Sequence, residues 1–203
     1  MAMPDQFTEI AWIAISDQDG NQYQFGSITD TIDIKWGARD IESIACVSSG
    51  RVTKFIPEDV TEITFEIFPV GISSNGTTPA GIHGWFMGLA PTATEGSNNF
   101  ARKKFRVVIL WTTYVPDQPY TSFNAAGALS SGDHLRFSFW NCYLTDATLD
   151  FTDDILKASC TFKCPPYDRA AYPLICAEEK DSGTLSAMPA YSGSAPPTGE
   201  PPW

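Results

Sequence analysis

Thr61-Glu62-Ile63-Thr64-Phe65-Glu66-Ile67 is the stretch on which the fold class turns. Ile63, Phe65 and Ile67 alternate with Glu62, Thr64 and Glu66, a period of two. Side chains alternate faces along a strand, so this segment buries one face and wets the other. The same rhythm recurs on both sides of it. Upstream, Thr31 to Trp36 sets Ile32, Ile34 and Trp36 against Asp33 and Lys35. Phe7 to Ile15, the turn cluster Ser16 to Asn21, and Tyr23 with Phe25 read as a hairpin. A Ser48-Ser49-Gly50 turn introduces a strand over Val52 to Ile56. Downstream, Phe105 to Thr112, Leu135 to Leu144 and Ile155 to Cys164 are further strands. The chain is predicted to be mostly β.

Three segments depart from that rhythm. Ile82, Trp85, Phe86 and Leu89 fall at helical spacing between a Thr-Pro start and Pro91, which predicts one short helix over 78–90. Thr113 to Asp133 is a long connection rich in small residues and aromatics, the kind that carries function or lacks fixed structure. From Asp181 to Trp203 the composition becomes Ser, Gly, Pro and Ala. We therefore divide the chain into a β domain, 1–180, and a C-terminal arm, 181–203. Such an arm is extended or disordered by itself, and a neighbouring subunit is the expected surface to hold it.

Composition narrows the function. The 203 residues carry 13 Lys or Arg against 24 Asp or Glu, a net charge of −11, which is the wrong sign for a high-affinity nucleic-acid binder. Residues 1–15 lack the basic start of a signal peptide. The apolar run Val107 to Trp111 falls far short of the ~20 residues of a membrane helix, so no membrane partner is expected. Cys46, Cys142, Cys160, Cys164 and Cys176 contain no C-x-x-C and read as reduced, mostly buried thiols of a protein made in a cytosol. Four strand residues separate Cys160 from Cys164 by roughly 13 Å, too far to bridge each other.

No concentrated reactive set is present, and the expectation is a non-enzyme with neither metal nor cofactor. Asp133-His134 reads as a pair at a loop edge, since neighbours on a strand face opposite ways. Asp17 to Asn21 resembles the start of a calcium loop but lacks its later glycine and glutamate, leaving a hairpin turn. Asp150, Asp153 and Asp154 read as a solvated turn. Arg102, Lys103, Lys104 and Arg106 form the one basic cluster, and in an acidic chain a subunit contact or solvated face outweighs a phosphate contact. Tyr114, Tyr120 and Phe123 in the long connection leave open a glycan-stacking platform on a β-sandwich, a competing reading.

Two stretches carry a family resemblance. Gly50-Arg-Val-Thr-Lys-Phe-Ile-Pro57 followed by Thr61 to Gly71 resembles the turn-and-strand pair of the major tail tube proteins of tailed viruses, whether phage or archaeal virus. Phe137 to Thr145 with Asp150 to Asp168 is similar to that family's closing hairpin, and the helix at 78–90 lies where the family places one. The resemblance covers residues 7–168.

The resemblance implies a tail-tube-type β-sandwich or barrel subunit. Its inner strands would join a ring-wide barrel, and stacked, hexameric rings would conduct the genome into the host. It implies a virion protein synthesised in host cytoplasm. Its partners would be other copies of itself and further tail proteins: tape measure, terminator, and baseplate or distal tail component. Viral DNA would pass without specific binding. Asp33, Lys35, Glu62 and Glu66 are the lumen-facing candidates. Arg102, Lys103, Lys104, Arg106 and Trp203 are the candidates for contacts between subunits. A secretion-system tube or a distal tail component of the same lineage is the nearest alternative.

Overall fold

The decisive strand is paired along both edges and has one dry face. In the computed structural model, which describes residues 10–18, 22–27, 32–45, 50–55, 57–68, 104–112, 133–152, 155–169, 171–180, 185, 188–189 and 191–193, there are ten strands. They are β1 (Ile10–Asp17), β2 (Gln22–Ser27), β3 (Asp33–Lys35), β4 (Ile41–Ala45), β5 (Arg51–Phe55), β6 (Thr61–Phe68), β7 (Phe105–Thr112), β8 (His134–Thr152), β9 (Ile155–Cys164) and β10 (Ile175–Lys180). Along β6, Thr61, Ile63 and Phe65 are buried, while Glu62, Thr64 and Glu66 are half-buried. The expected helix at 78–90 and the loop aromatics Tyr114, Tyr120 and Phe123 lie outside the described residues. No helix among the described residues is long and apolar enough to cross a membrane.

Strand pairing closes on itself. β1 pairs with β2 and β7, β7 with β8, and β2 with the end of β6. β9 then joins β6 to β8, completing a six-stranded circuit in which every pairing is antiparallel. β8 makes this possible by its 19-residue length. Its first half pairs with β7 and β10, and its second half crosses to β9. At the changeover the register slips between Phe105 and Val107, and Asn141 takes a φ of 56°. Asn tolerates that left-handed conformation better than most residues, and a bulge bends its strand. Closure removes the edges that long alternating strands would otherwise expose.

The interior follows from the alternation. Phe65 stacks on Phe162 at 5.6 Å between ring centroids, and Phe105 meets Phe162 edge-on at 5.7 Å. Ile13, Ile15, Val107, Ile109 and Phe139 fill the space around them. β7 is buried on both faces apart from half-buried Trp111, which explains its unbroken apolar run. Ile32 and Ile34 pack on this core as expected. Trp36 departs from the expected core role. It is 54% exposed, with its ring laid against Phe137 and Phe139 at 5.7 and 6.1 Å, because β3 has already ended at Lys35.

The arm after residue 181 is also held differently from expectation. Leu185, Met188 and Tyr191 are buried in the chain's own core cluster. Arg106 anchors them. Its guanidinium lies 4.9 Å from the Trp140 ring and 5.7 Å from the Tyr191 ring, and its Nη1 donates to the Pro189 carbonyl. Tyr191 completes the attachment by donating to Asn141 Oδ1 at 2.9 Å. The described part of the arm is therefore a strap on its own barrel.

Replacing Phe162 with Ala should cost about 3–5 kcal/mol of unfolding free energy, because two aromatic neighbours lose their partner and a cavity remains. Arg106→Met should cost about 2 kcal/mol through the lost cation–π and carbonyl contacts. Urea unfolding measures both. In the Arg106 variant, limited proteolysis should cut first near residues 185–193.

Candidate assembly surfaces

The four lumen-facing candidates meet on one wet face. Asp33 and Lys35 of β3, and Glu62 and Glu66 of β6, all stand on the side opposite the core, because β3 pairs with β6 through Asp33↔Thr64 and Lys35↔Glu62. Lys35 Nζ lies 3.8 Å from Asp33 and 3.7 Å from Glu62. Sequence reasoning missed a fifth member, Lys163 of β9, whose Nζ is 3.6 Å from the other Glu62 oxygen. The Glu62↔Lys163 pairing is set by β6–β9 register, which no local pattern reveals. Between the charges, the Thr64 and Thr161 hydroxyls share a hydrogen bond of 3.3 Å. Three carboxylates against two ammonium groups leave this face one net negative charge, so it is a balanced polar ladder.

The second surface is the β4–β5 hairpin. Every described side chain on it is exposed, including Ile41 at 56%, Ile44 at 47% and Val52 at 55%. Register sets Ile44 opposite Val52 and Glu42 opposite Lys54, so one face carries an apolar pair and a charge pair. Only β5 was legible in the sequence. The signal for β4 was available in Ile41 and Ile44 ahead of the Ser48-Ser49-Gly50 turn.

The base of this hairpin is clamped to the barrel. Asp59 N–H donates to the Ala38 carbonyl at 3.0 Å, and Gly37 N–H donates to Thr61 Oγ1 at 3.2 Å. Arg39 Nη2 reaches Glu58 at 2.8 Å and the Tyr167 hydroxyl at 3.5 Å. A Cβ at Gly37 would stand 1.9 Å from the Asp59 carbonyl oxygen, so the two stems approach too closely for any other residue. Exposed Val60, Tyr167 and Tyr172 surround the clamp.

The basic cluster does not form one surface. Arg106 is 1% exposed and engaged within its own chain, which removes it from the contacts between subunits. Alternation explains this, since the Arg106 side chain is carried to the strap-covered face of β7. Burial also pushes its pKa down to about 10, leaving it protonated at neutral pH. Lys104 is half-buried, with its backbone N–H bonded to Gln18 Oε1 at 3.1 Å. Arg102, Lys103 and Trp203 lie outside the described residues.

His134 is likewise structural in setting. It is fully buried on β8, with Nδ1 2.8 Å from the Thr112 hydroxyl directly across the ladder. One row further in, Arg136 and Glu178 form a buried ion pair between β8 and β10.

No protein-family model matches the chain. No curated protein sequence matches it either. Among solved structures it is similar to a chain of the PVC sheath-tube complex, an extracellular contractile injection system in its extended state. That match has 14% identity and a TM-score of 0.40, covering 83% of this chain and 88% of the other. A chain of the anti-feeding prophage baseplate is similar at 9% identity and a TM-score of 0.46, with 87% and 97% covered. An Hcp protein is similar at 9% identity and a TM-score of 0.34, with 85% and 99% covered.

Glu62→Gln should change unfolding free energy by less than about 1 kcal/mol, because the two lysines it pairs with are solvent-exposed and held at 3.6–3.7 Å. Gly37→Ala should cost about 1–3 kcal/mol, the range for forced overpacking. Urea midpoints compared on the two variants check this ordering.

Proposed function

We propose that this chain is a structural subunit that polymerises with its own copies into stacked rings forming a tube, as in a virus tail or a contractile injection apparatus. One observation carries the reading. A hairpin with every described side chain exposed projects from a closed barrel on a rigid base. A two-stranded hairpin is marginal alone in water, and Ile41, Ile44 and Val52 gain nothing until another surface covers them. Investment in the clamp at Gly37, Arg39 and Glu58 makes sense if the hairpin must meet that surface in a fixed direction. A second copy is the economical partner, since repeating one contact around and along an axis builds rings and stacks.

β3 and β10 end the hydrogen-bonded path, each leaving one side unpaired among the described residues. Those open edges support joining of sheets between neighbours. The β3–β6–β9 ladder then lines the channel. Its charges already answer one another, so a passing polymer meets few unpaired cations on which to stick. Viral DNA is the passenger we infer for a virion tube, entering the host without specific binding. Tail or baseplate components would cap the ends.

Electron microscopy of the concentrated protein should show rings or stacked tubes with a central hole. Ile44→Asp with Val52→Asp should abolish stacking while circular dichroism stays that of the parent. Unaltered tubes from this variant would refute the role given to the hairpin. Replacing Glu62 and Glu66 by Lys should still permit assembly but make tubes retain DNA, measured by co-sedimentation at low salt. Tubes that bind no more DNA than the parent would overturn the lumenal assignment.

A further inference from the structure

Four described cysteines are buried, and two of them, Cys142 and Cys164, lie where β8 changes partners. The register Tyr143↔Lys163 and Leu144↔Phe162 places Cys142 opposite Cys164 one step further along. Both side chains are fully buried and point into the barrel, in phase with Leu144 and Phe162. Cys142 Sγ donates to the Phe139 carbonyl at 3.3 Å and Cys164 Sγ to the Trp140 carbonyl at 3.3 Å, so both thiols are held against the same short stretch of β8. Residues directly opposite on antiparallel strands hold their Cβ atoms about 4.5–5.5 Å apart, next to the range of about 3.5–4.5 Å that a disulfide requires. Cys160 cannot compete for Cys164 on the same strand, and Cys176 is on β10, paired to Ser138 across the other half of β8.

We propose that Cys142 and Cys164 are a cross-strand disulfide site, closed by a small-disulfide oxidant such as oxidised glutathione while the barrel forms. One protein thiolate attacks a glutathione sulfur, breaking its S–S bond, forming a mixed disulfide and releasing one glutathione. The second protein thiolate attacks the mixed disulfide's protein sulfur and expels the other glutathione. The protein pair loses two electrons, which the oxidant gains, and the two thiol protons end on two glutathione molecules. The bond ties β8 to β9 beside the Asn141 bend, across the seam that closes the circuit. In the finished subunit burial pushes the Cys142 thiol well above its ordinary pKa, with the Cys164 thiol adding to the effect. The thiolate needed for attack is therefore scarce once folding is complete, and the redox state set during folding persists.

The test is refolding of the full chain from denaturant in buffer containing oxidised and reduced glutathione, then alkylation, intact mass and peptide mapping. The expected product is lighter than the reduced protein by about 2 Da, the two thiol hydrogens, with a Cys142–Cys164 linked peptide that a reductant separates. Its Tm should exceed that of the reduced protein and fall back on reduction. Cys160→Ala should keep the link, which decides the matter even if Cys164→Ala fails to fold. Five alkylated thiols after refolding, or a link to Cys46, Cys160 or Cys176, would overturn the assignment.

Discussion

Everything in this subunit hangs on β9 lying in register between β6 and β8. Without it the remaining strands form an open, twisted sheet in which Phe65 and Phe105 lose Phe162, the ring they share. With it they form a closed wall whose interior is dry. The same seam builds the outside, because Lys163 can meet Glu62 only when β9 is seated. One set of hydrogen bonds thus fixes both the packed interior and the order of charges on the wet face.

The C-terminal strap is the second dependency, and it rests on one buried cation. Arg106 has Trp140 and Tyr191 against its guanidinium and the Pro189 carbonyl at its edge. Burial of a charge is costly unless polar partners surround it. Here one of those partners, the Pro189 carbonyl, comes from the arm and another, Ser16 Oγ, from β1, so the charge and the arm support each other. Leu185, Met188 and Tyr191, the described apolar residues of a segment whose composition reads as disordered, are buried in the core.

The sequence was most readable where one strand had one wet face. β6, β7 and β9 are present with nearly the expected bounds, because period-two patterning and apolar runs are local signals. β4 and β10 escaped, since Ile41-Glu42-Ser43-Ile44-Ala45 and Ile175 to Lys180 are short and interrupt their own alternation. Of the candidate residues, Asp33, Lys35, Glu62 and Glu66 share a face as strand parity dictates. Parity could also have warned that Arg106 and Lys104 face alike, but not that a strap would cover Arg106. Lys163 depended on which strand lies beside β6, a fact of topology. Trp36 looked like core because hydrophobicity says nothing about where a strand ends.

The pairing of β1 with β7 has a consequence for biogenesis. Ser16 and Arg106 are cross-strand neighbours although 90 residues separate them. At about 5–20 residues per second, a ribosome takes roughly 5–18 seconds to supply the second strand after the first. For that interval Ile13 and Ile15 have β2 on one side and nothing on the other. Nascent subunits in a cell making many copies would then present a waiting strand edge to one another. A chaperone that shields the first thirty or so residues during synthesis would raise the yield of competent subunits more than any increase in their final stability.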